Sequence, residues 1–298
     1  MLSINIPVYS IEVDSLVLQL IEQANNLGVL FEIRVYDDCS KDAFKTKNRK
    51  ISEYPNVVYL ELENNLGRAT IRNKMGFDSK FNLLLFIDAD SKLINNNYLE
   101  TFLNNARASV VLCGGTAYQK DKPEQPEKLL RWVYGKNREA VSAEIRNRKK
   151  GFIITSNNFV IEKSVFENIH FREDIKNYGH EDTLLGYDLQ KSKVEVLHVN
   201  NPVEHTGLED AKQFVQKTKM ALENLFLIKN KLLQNESDFS EQVNFLNRYS
   251  EISKYIPTVF LQMFYKICHS GIEKHLLGKN PSLFWFDVYK LVYYSTLK

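Results

Sequence analysis

Residues 82–90 read Asn-Leu-Leu-Leu-Phe-Ile-Asp-Ala-Asp: an apolar run, Leu83 to Ile87, that delivers two aspartates, Asp88 and Asp90. A short apolar run of this length fits a fully buried strand, the kind found in a sheet covered on both faces. In an extended segment Asp88 and Asp90 point to the same side. Two carboxylates so placed repel each other unless a cation or a polyhydroxyl ligand sits between them. Oxygen donors of this sort suit Mg²⁺ or Mn²⁺, which in turn suits a diphosphate. A solvated loop after a strand gives the same spacing, so the pair must be weighed in its context.

Outward from this strand the pattern alternates. Leu2 to Val8, Phe31 to Tyr36, Val57 to Leu62 and Val110 to Cys113 are further strand candidates. Between them Leu16, Leu20, Ala24 and Leu27 share one helical face closed by Gly28, and helical patterns fit Arg68 to Phe77 and Asn96 to Ala106. This alternation predicts an α/β fold with a mostly parallel sheet flanked by helices. In such sheets ligands bind beyond the carboxyl ends of the strands. Residues 116–150 are polar and basic and carry a helical pattern over Leu129 to Glu144, while Gly151 to Ile161 is extended again. A helix is expected over Glu181 to Lys191, a strand over Val194 to Val199, and a long helix over Ala211 to Asn235. Further helices follow, broken at Pro257, Gly271 and Pro281. The reading is a catalytic domain over 1–207 and a helical C-terminal extension over 208–298.

Composition bounds the class. The 298 residues, 44% hydrophobic and 26% charged, can bury a sizeable core. Lys+Arg 39 against Asp+Glu 37 leaves +2, so no global field draws the chain to nucleic acid. The three cysteines, Cys39, Cys113 and Cys268, are widely spaced and imply neither a zinc site nor a disulfide framework. No basic leader or apolar run of membrane-spanning length is visible, which points to a cytoplasmic chain.

Five segments carry chemistry in a fixed order: Ile-Pro-Val-Tyr (6–9), Asp-Asp-Cys-Ser-Lys-Asp (37–42), Asn-Leu-Gly-Arg-Ala-Thr-Ile-Arg-Asn (65–73), Asp-Ala-Asp (88–90) and Glu-Asp (181–182). Taken together over residues 1–207 they resemble the family 2 glycosyltransferases, inverting enzymes with the GT-A fold. The resemblance implies that Pro7 and Tyr9 border the nucleotide base and that one of Asp37 and Asp38 accepts from a uracil ring, Asp38 being favoured. It places Arg72 near the nucleotide, Asp88 and Asp90 on metal and ribose, Asp182 as general base and Glu181 beside it as an acceptor contact. Cys39 stands where the family usually has glycine. His205, 24 residues after Glu181, matches a histidine that completes the metal site in relatives, with His198 as a competitor. An imidazole ligand suits Mn²⁺ better than Mg²⁺.

The chemistry of the residues agrees. Glycosyl transfer passes through an oxocarbenium-like state and needs a stabilised leaving group and a base on the opposite face of the sugar. Acidic residues at 181 and 182 also suit a helix start, whose free N–H groups they would cap. Trp132, Asn157 and His180 are candidate acceptor contacts. Arg131, Tyr134 and the basic segment Arg146 to Lys150 could form a lid or a plain solvated helix. The C-terminal aromatics, among them Phe260, Phe264, Phe284, Trp285, Phe286, Tyr289 and Tyr294, alternate with lysines. They fit core packing, a homodimer face, or a peripheral contact with the inner face of a membrane where lipid-linked acceptors reside.

The expected partners are therefore a nucleotide-sugar donor, mostly UDP-sugars in this family, and a glycan or lipid-linked acceptor. Asn and Lys abundance fits an AT-rich bacterial genome and cell-surface polysaccharide assembly. A haloacid-dehalogenase-type phosphatase would want Thr or Val where Lys92 stands, and a sugar nucleotidyltransferase a glycine-rich basic loop where Tyr9-Ser10-Ile11-Glu12 stands. A non-catalytic nucleotide-sugar or glycan-binding relative has nothing in its favour, since the Asp-Ala-Asp and Glu-Asp pairs are intact.

Overall fold

The computed structural model describes residues 1–148, 154–175 and 178–297. The strands are β1 (Leu2–Val8), β2 (Phe31–Asp37), β3 (Val57–Glu61), β4 (Leu83–Ile87), β5 (Ser91–Leu93), β6 (Val110–Cys113), β7 (Thr116–Ala117), β8 (Asn158–Glu162), β9 (Glu195–His198) and β10 (Val203–His205). Helices α1 (Asp14–Asn26), α2 (Asp42–Asn48), α3 (Arg68–Asp78), α4 (Tyr98–Asn105), α5 (Leu129–Tyr134), α6 (Ala143–Arg148), α7 (Lys163–Asn168) and α8 (Glu181–Lys191) lie among them. The chain closes with α9 (Ala211–Leu227), α10 (Ser237–Gln242), α11 (Asn244–Tyr255), α12 (Thr258–Leu276) and α13 (Leu283–Tyr294).

A seven-stranded sheet runs β3-β2-β1-β4-β8-β6-β9. All its strands are parallel except β8, which pairs antiparallel with both β4 and β6. Alternation along β4 explains why the run 83–87 is apolar throughout. Leu85 and Ile87 enter one core with α1 and α4, while Leu84 and Phe86 enter a second with α3, α7 and α8. Because β8 runs the other way, its first residue meets the last of β4 (Ile87 opposite Asn158), and Asp88 N–H donates to the Asn157 carbonyl at 3.1 Å. The ends of β1, β2, β4 and β6 and the start of β8 thus share one edge.

Beyond that edge lies a three-stranded sheet, β5-β10-β7, that the sequence pattern did not announce. Strands of two or three residues are too short to show a period. Its register sets His205 opposite Ser91, one residue past Asp90.

Other expectations need correction. The helix expected over 129–144 stops at Tyr134, continues as one wide π turn over Gly135–Glu139, and resumes as α6. The turn brings Glu139 back to the Tyr118 hydroxyl and to Arg131, whose Nη2 is 3.0 Å away. Gly271 breaks nothing: it lies inside α12, with open space where a Cβ would be. The helix expected over 211–235 is α-helical only to Leu227. Of the extended stretch foreseen over 151–161, and of the basic segment ending at Lys150, residues 149–153 lie outside the described residues.

The C-terminal helices pack on the sheet layer. Leu184 and Tyr187 of α8 join Leu222, Leu225, Phe239 and Leu246, and Leu130 of α5 joins Val215, Ile272 and Phe286. No helix among the described residues is long and apolar enough to cross a membrane.

Candidate active site

A cavity of about 430 Å³ opens at the shared strand edge. Its lining includes Arg68, Asp88, Asp90, His205 and Gly207 together with Asn157, His180, Glu181 and Asp182. Tyr118, Arg131, Glu139, Glu209 and Lys217 also line it, with the Tyr118 ring edge-on to the His205 ring at 5.5 Å.

The Asp88 wall is built by α3. Arg68 and Arg72 stand four apart and so face the same way. Arg72 is buried, donates from Nη1 to the Arg68 carbonyl at 2.9 Å and from Nη2 to Asp88 Oδ1 at 2.5 Å. Arg68 is half exposed and spans the cavity's carboxylates, with Nε 3.0 Å from Glu181 and Nη2 3.6 Å from Asp88. The helix start is fixed by Asp38, whose two oxygens accept from the amides of Leu66 (2.6 Å) and Gly67 (3.1 Å). Burial pushes the Asp38 carboxyl up, against the pull of those amides. Asp37 is wholly buried and accepts from the Ser40 amide at 2.6 Å. Between Asp38 and Ser40 the chain turns at Cys39 with φ +62°, a left-handed conformation that suits the glycine which the family resemblance leads one to expect there.

Asp90 is paired through the small sheet: its Oδ2 lies 3.3 Å from His205 Nδ1. Burial would raise this carboxyl, but the His205 contact holds it below the ordinary carboxylate value. Gly207 is needed beside it, since a Cβ there would stand 3.0 Å from the Asp90 Cβ and Cγ. His198, the competing histidine, faces away into the Arg146 guanidinium at 2.5 Å, where burial drives its pKa down to about 4.

The base side is shaped by a left-handed pair, Gly179 (φ +95°) and His180 (φ +70°), directly before α8. Non-glycine residues in that region store strain, which persists where neighbours over-determine it. Here Ala221 of α9 would meet any Cβ on Gly179 at 2.8 Å, and Asn224 Nδ2 donates to the Gly179 carbonyl at 2.5 Å. Burial, reinforced by the Glu181 charge, raises Asp182 to about 6. Burial also lowers His180 to about 4, so its ring is neutral at pH 7, with Nδ1 3.1 Å from the Thr183 hydroxyl.

The structure therefore gathers Asp88, Asp90, His205, Glu181, Asp182, His180 and Asn157 around one cavity. Pro7, Tyr9, Asp37, Asp38 and Arg72 are not in its lining. Tyr9 is 61% exposed just past β1, and Arg72 acts on the cavity by holding Asp88 and through its charge, which pulls the Asp182 carboxyl down. Trp132 also stays outside: its indole N–H donates to the Gln119 carbonyl at 3.0 Å. Arg146, foreseen as a lid cation, spends all five N–H donors on the carbonyls of Cys113, Gly114, Val141 and Val199 and on His198. It pins α6 to the sheet. Residues that sequence reasoning left unassigned, Arg68, Tyr118, Glu139, Glu209 and Lys217, line the cavity. For Arg68 the signal was its spacing of four from Arg72; Lys217 belongs to a helix with no motif.

Four carboxylates (Asp88, Asp90, Glu181, Asp182) meet two guanidinium groups (Arg68, Arg72), an excess of two negative charges when all are ionised. A divalent cation fits that excess, and His205 Nε2 is a buried nitrogen with no hydrogen-bond partner. No three acidic, His or Cys side chains form a closed metal cluster among the described residues. Cations that arrive with a diphosphate are held by one or two protein carboxylates plus phosphate oxygens, not by an all-protein cage. The donor set fits such an ion.

The sequence profile of glycosyl transferase family 2 matches residues 3–169. The chain belongs to glycosyl transferase family 2. No curated protein matches it in sequence. Among solved structures it is similar to the mannosyltransferase PcManGT from Pyrobaculum calidifontis in complex with GDP-Man and Mn²⁺, at 11% identity over 97% of this chain and 85% of that one, TM-score 0.53. It is also similar to S. aureus TarS 1-349 in complex with UDP, at 17% identity over 98% and 89% of the two chains, TM-score 0.50. At these identities the likeness establishes the fold, GT-A, for this family 2 glycosyltransferase.

Proposed function

We propose that the chain moves a sugar, as a hexosyl or N-acetylhexosaminyl group, from a UDP-sugar to an acceptor hydroxyl with inversion. The observation that carries this reading is one cavity lined both by Asp88, Asp90 and His205 and by Asp182, raised to about 6. A carboxylate tuned toward neutrality is a stronger proton acceptor than an ordinary aspartate and is still ionised at pH 7. Asp182 takes the acceptor hydroxyl proton as the hydroxyl oxygen bonds the anomeric carbon and the donor's diphosphate leaves. Glu181 is kept off that task by Arg68. Asp90, Asp88 and His205 would hold Mn²⁺ or Mg²⁺ with the donor; the chemistry such an ion supplies when bound is neutralisation of the leaving diphosphate. Pro7, Tyr9 and Asp37 or Asp38, at the neighbouring ends of β1 and β2, would border the base. The two solved relatives support a nucleoside diphosphate, since one holds GDP-Man and the other UDP.

Residues 1–207 form the transferase in this reading. The extension 208–298 completes the cavity through Lys217 and Glu209, which pair at 2.8 Å. A cytoplasmic chain serving cell-surface polysaccharide or glycoconjugate synthesis fits the composition. The test is UDP release from a panel of UDP-sugars with Mn²⁺, in the native protein and in Asp90→Ala. One donor should be hydrolysed slowly by the native protein, with binding and turnover both lost in the variant. Absence of any nucleotide-sugar binding, with or without metal, would sink the reading.

A further inference from the structure

The C-terminal aromatics do not share one fate. Phe286, Tyr289 and Tyr294 are buried, whereas Phe260 and Phe284 are 62% and 67% exposed. The exposed set faces a groove of about 1020 Å³ between α11, α12 and α13. Its walls are apolar: Phe260, Leu261, Phe264, Phe284, Val288 and Leu291. An apolar concavity of this size, left open to water, is the usual form of a site for an apolar ligand.

Two features say what the ligand is. The groove's charges are Arg138, Arg248 and Lys290 against Asp287 alone, an excess of two positive charges. Arg138 and Lys290 both hold Asp287, at 2.8 and 2.7 Å, and Arg248 is exposed with no carboxylate within ion-pair distance among the described residues. A wholly apolar ligand would have no use for that excess; an anionic group at the end of an apolar chain does. The second feature is continuity. Arg138 lines the groove and also the catalytic cavity, so the two spaces adjoin at one guanidinium.

We propose that the groove holds the hydrocarbon tail of a phosphate-linked lipid acceptor, with the phosphate at Arg138 and the acceptor sugar extending from there to Asp182. The identity of the lipid as acceptor rests on the transferase reading above; the binding itself does not. The experiment therefore reads binding without turnover. Dodecyl phosphate, below its micelle-forming concentration, is titrated calorimetrically into the full chain, beside a neutral twelve-carbon ether detergent. The native protein should bind dodecyl phosphate at least tenfold more tightly than the neutral chain. Phe260→Asp and Phe284→Asp alter exposed side chains, so folding should survive, which thermal melting checks. Each should weaken dodecyl phosphate at least tenfold. Arg138→Gln should remove the preference for phosphate while leaving the neutral chain's affinity within about twofold.

Equal binding of both ligands, or binding unaltered in Phe260→Asp and Phe284→Asp, overturns the proposal. So does a native dimer in sedimentation that Phe284→Asp dissociates and dodecyl phosphate leaves intact, because the groove would then be an interface between copies. UDP-sugar turnover, followed separately, decides the transferase reading whichever way the titration falls.

Discussion

Two groups of side chains in the catalytic cavity are built on different electrostatic plans. Around Asp88 and Asp90, four carboxylates face two guanidinium groups and the balance is left open. In the other group Arg131 meets Glu139 at 3.0 Å, Lys217 meets Glu209 at 2.8 Å, and within each pair the charges cancel. The two groups touch: the Tyr118 ring lies 5.5 Å from that of His205, and the Tyr178 ring 5.4 Å from both Arg68 and Lys217. Unbalanced carboxylates repel one another until something cationic arrives, so that group selects its ligand by charge. The paired group and the two tyrosine rings offer hydrogen bonds and flat surfaces, which suit sugar hydroxyls.

The largest effect is expected where the open charge meets the reaction. Asp182→Asn should lower turnover by about 10²–10⁴-fold while sparing donor binding, the range a positioned base contributes. In the native protein kcat/KM should fall below pH about 6, as protonation removes the base. The same shift has a stability sign. Burial raises Asp182 above its unfolded value, so the stability contributed by the neutral form is fully present below the ordinary carboxylate value of 3.8 and lost as pH rises through about 6. Asp182→Asn should then melt later than native at pH 8, by about 1 kcal/mol. A pH profile flat from 5 to 8 would remove Asp182 from the base role.

This asymmetry also marks what could be read in advance. Strand ends were legible because buried parallel strands are continuous apolar runs, and acidic residues after Tyr36 and Ile87 stand out against them. The Asp90–His205 contact was legible only through the family resemblance, because β5, β7 and β10 span three, two and three residues. Of the paired group only Arg131 was legible, as a lid candidate. Tyr118, Arg131 and Lys217 come from three separate segments and meet only through packing: Arg131 lies 5.3 Å from the Tyr118 ring and 5.1 Å from that of Phe214. Nothing local in the sequence reports such a meeting. The α12 aromatics show the same limit, since 3.6-residue periodicity gives a face but not whether a partner covers it.

Two glycines allow the two groups to be struck separately. Gly207→Ala places a methyl against the Asp90 carboxylate, and Gly135→Ala places one against the Tyr118 ring. Displacing a reacting-site group by about 1 Å can cost about 10²-fold. Gly207→Ala should therefore lower both UDP-sugar hydrolysis and transfer by about that factor. Gly135→Ala should lower transfer to an acceptor more than hydrolysis, where water is the acceptor. Equal losses in both assays for both variants would mean that the two groups do not divide donor from acceptor.

The smallest expected effect tests the turn that anchors the start of α3. Cys39 holds φ +62°, and its thiol lies 3.3 Å from the Glu63 carbonyl. A side chain in the left-handed region costs about 1–2 kcal/mol, and glycine removes that cost while adding freedom to the unfolded chain, worth about 0.4–1 kcal/mol. The difference leaves Cys39→Gly more stable by about 0.5 kcal/mol, a rise in melting temperature of about 1–2 °C. Asp38 should keep its two amide contacts, so donor affinity should not change. A loss of more than about 1 kcal/mol would show that the thiol's contact with Glu63 outweighs the backbone strain. The turn would then be held by its side chain's bond, not by tolerance of its backbone.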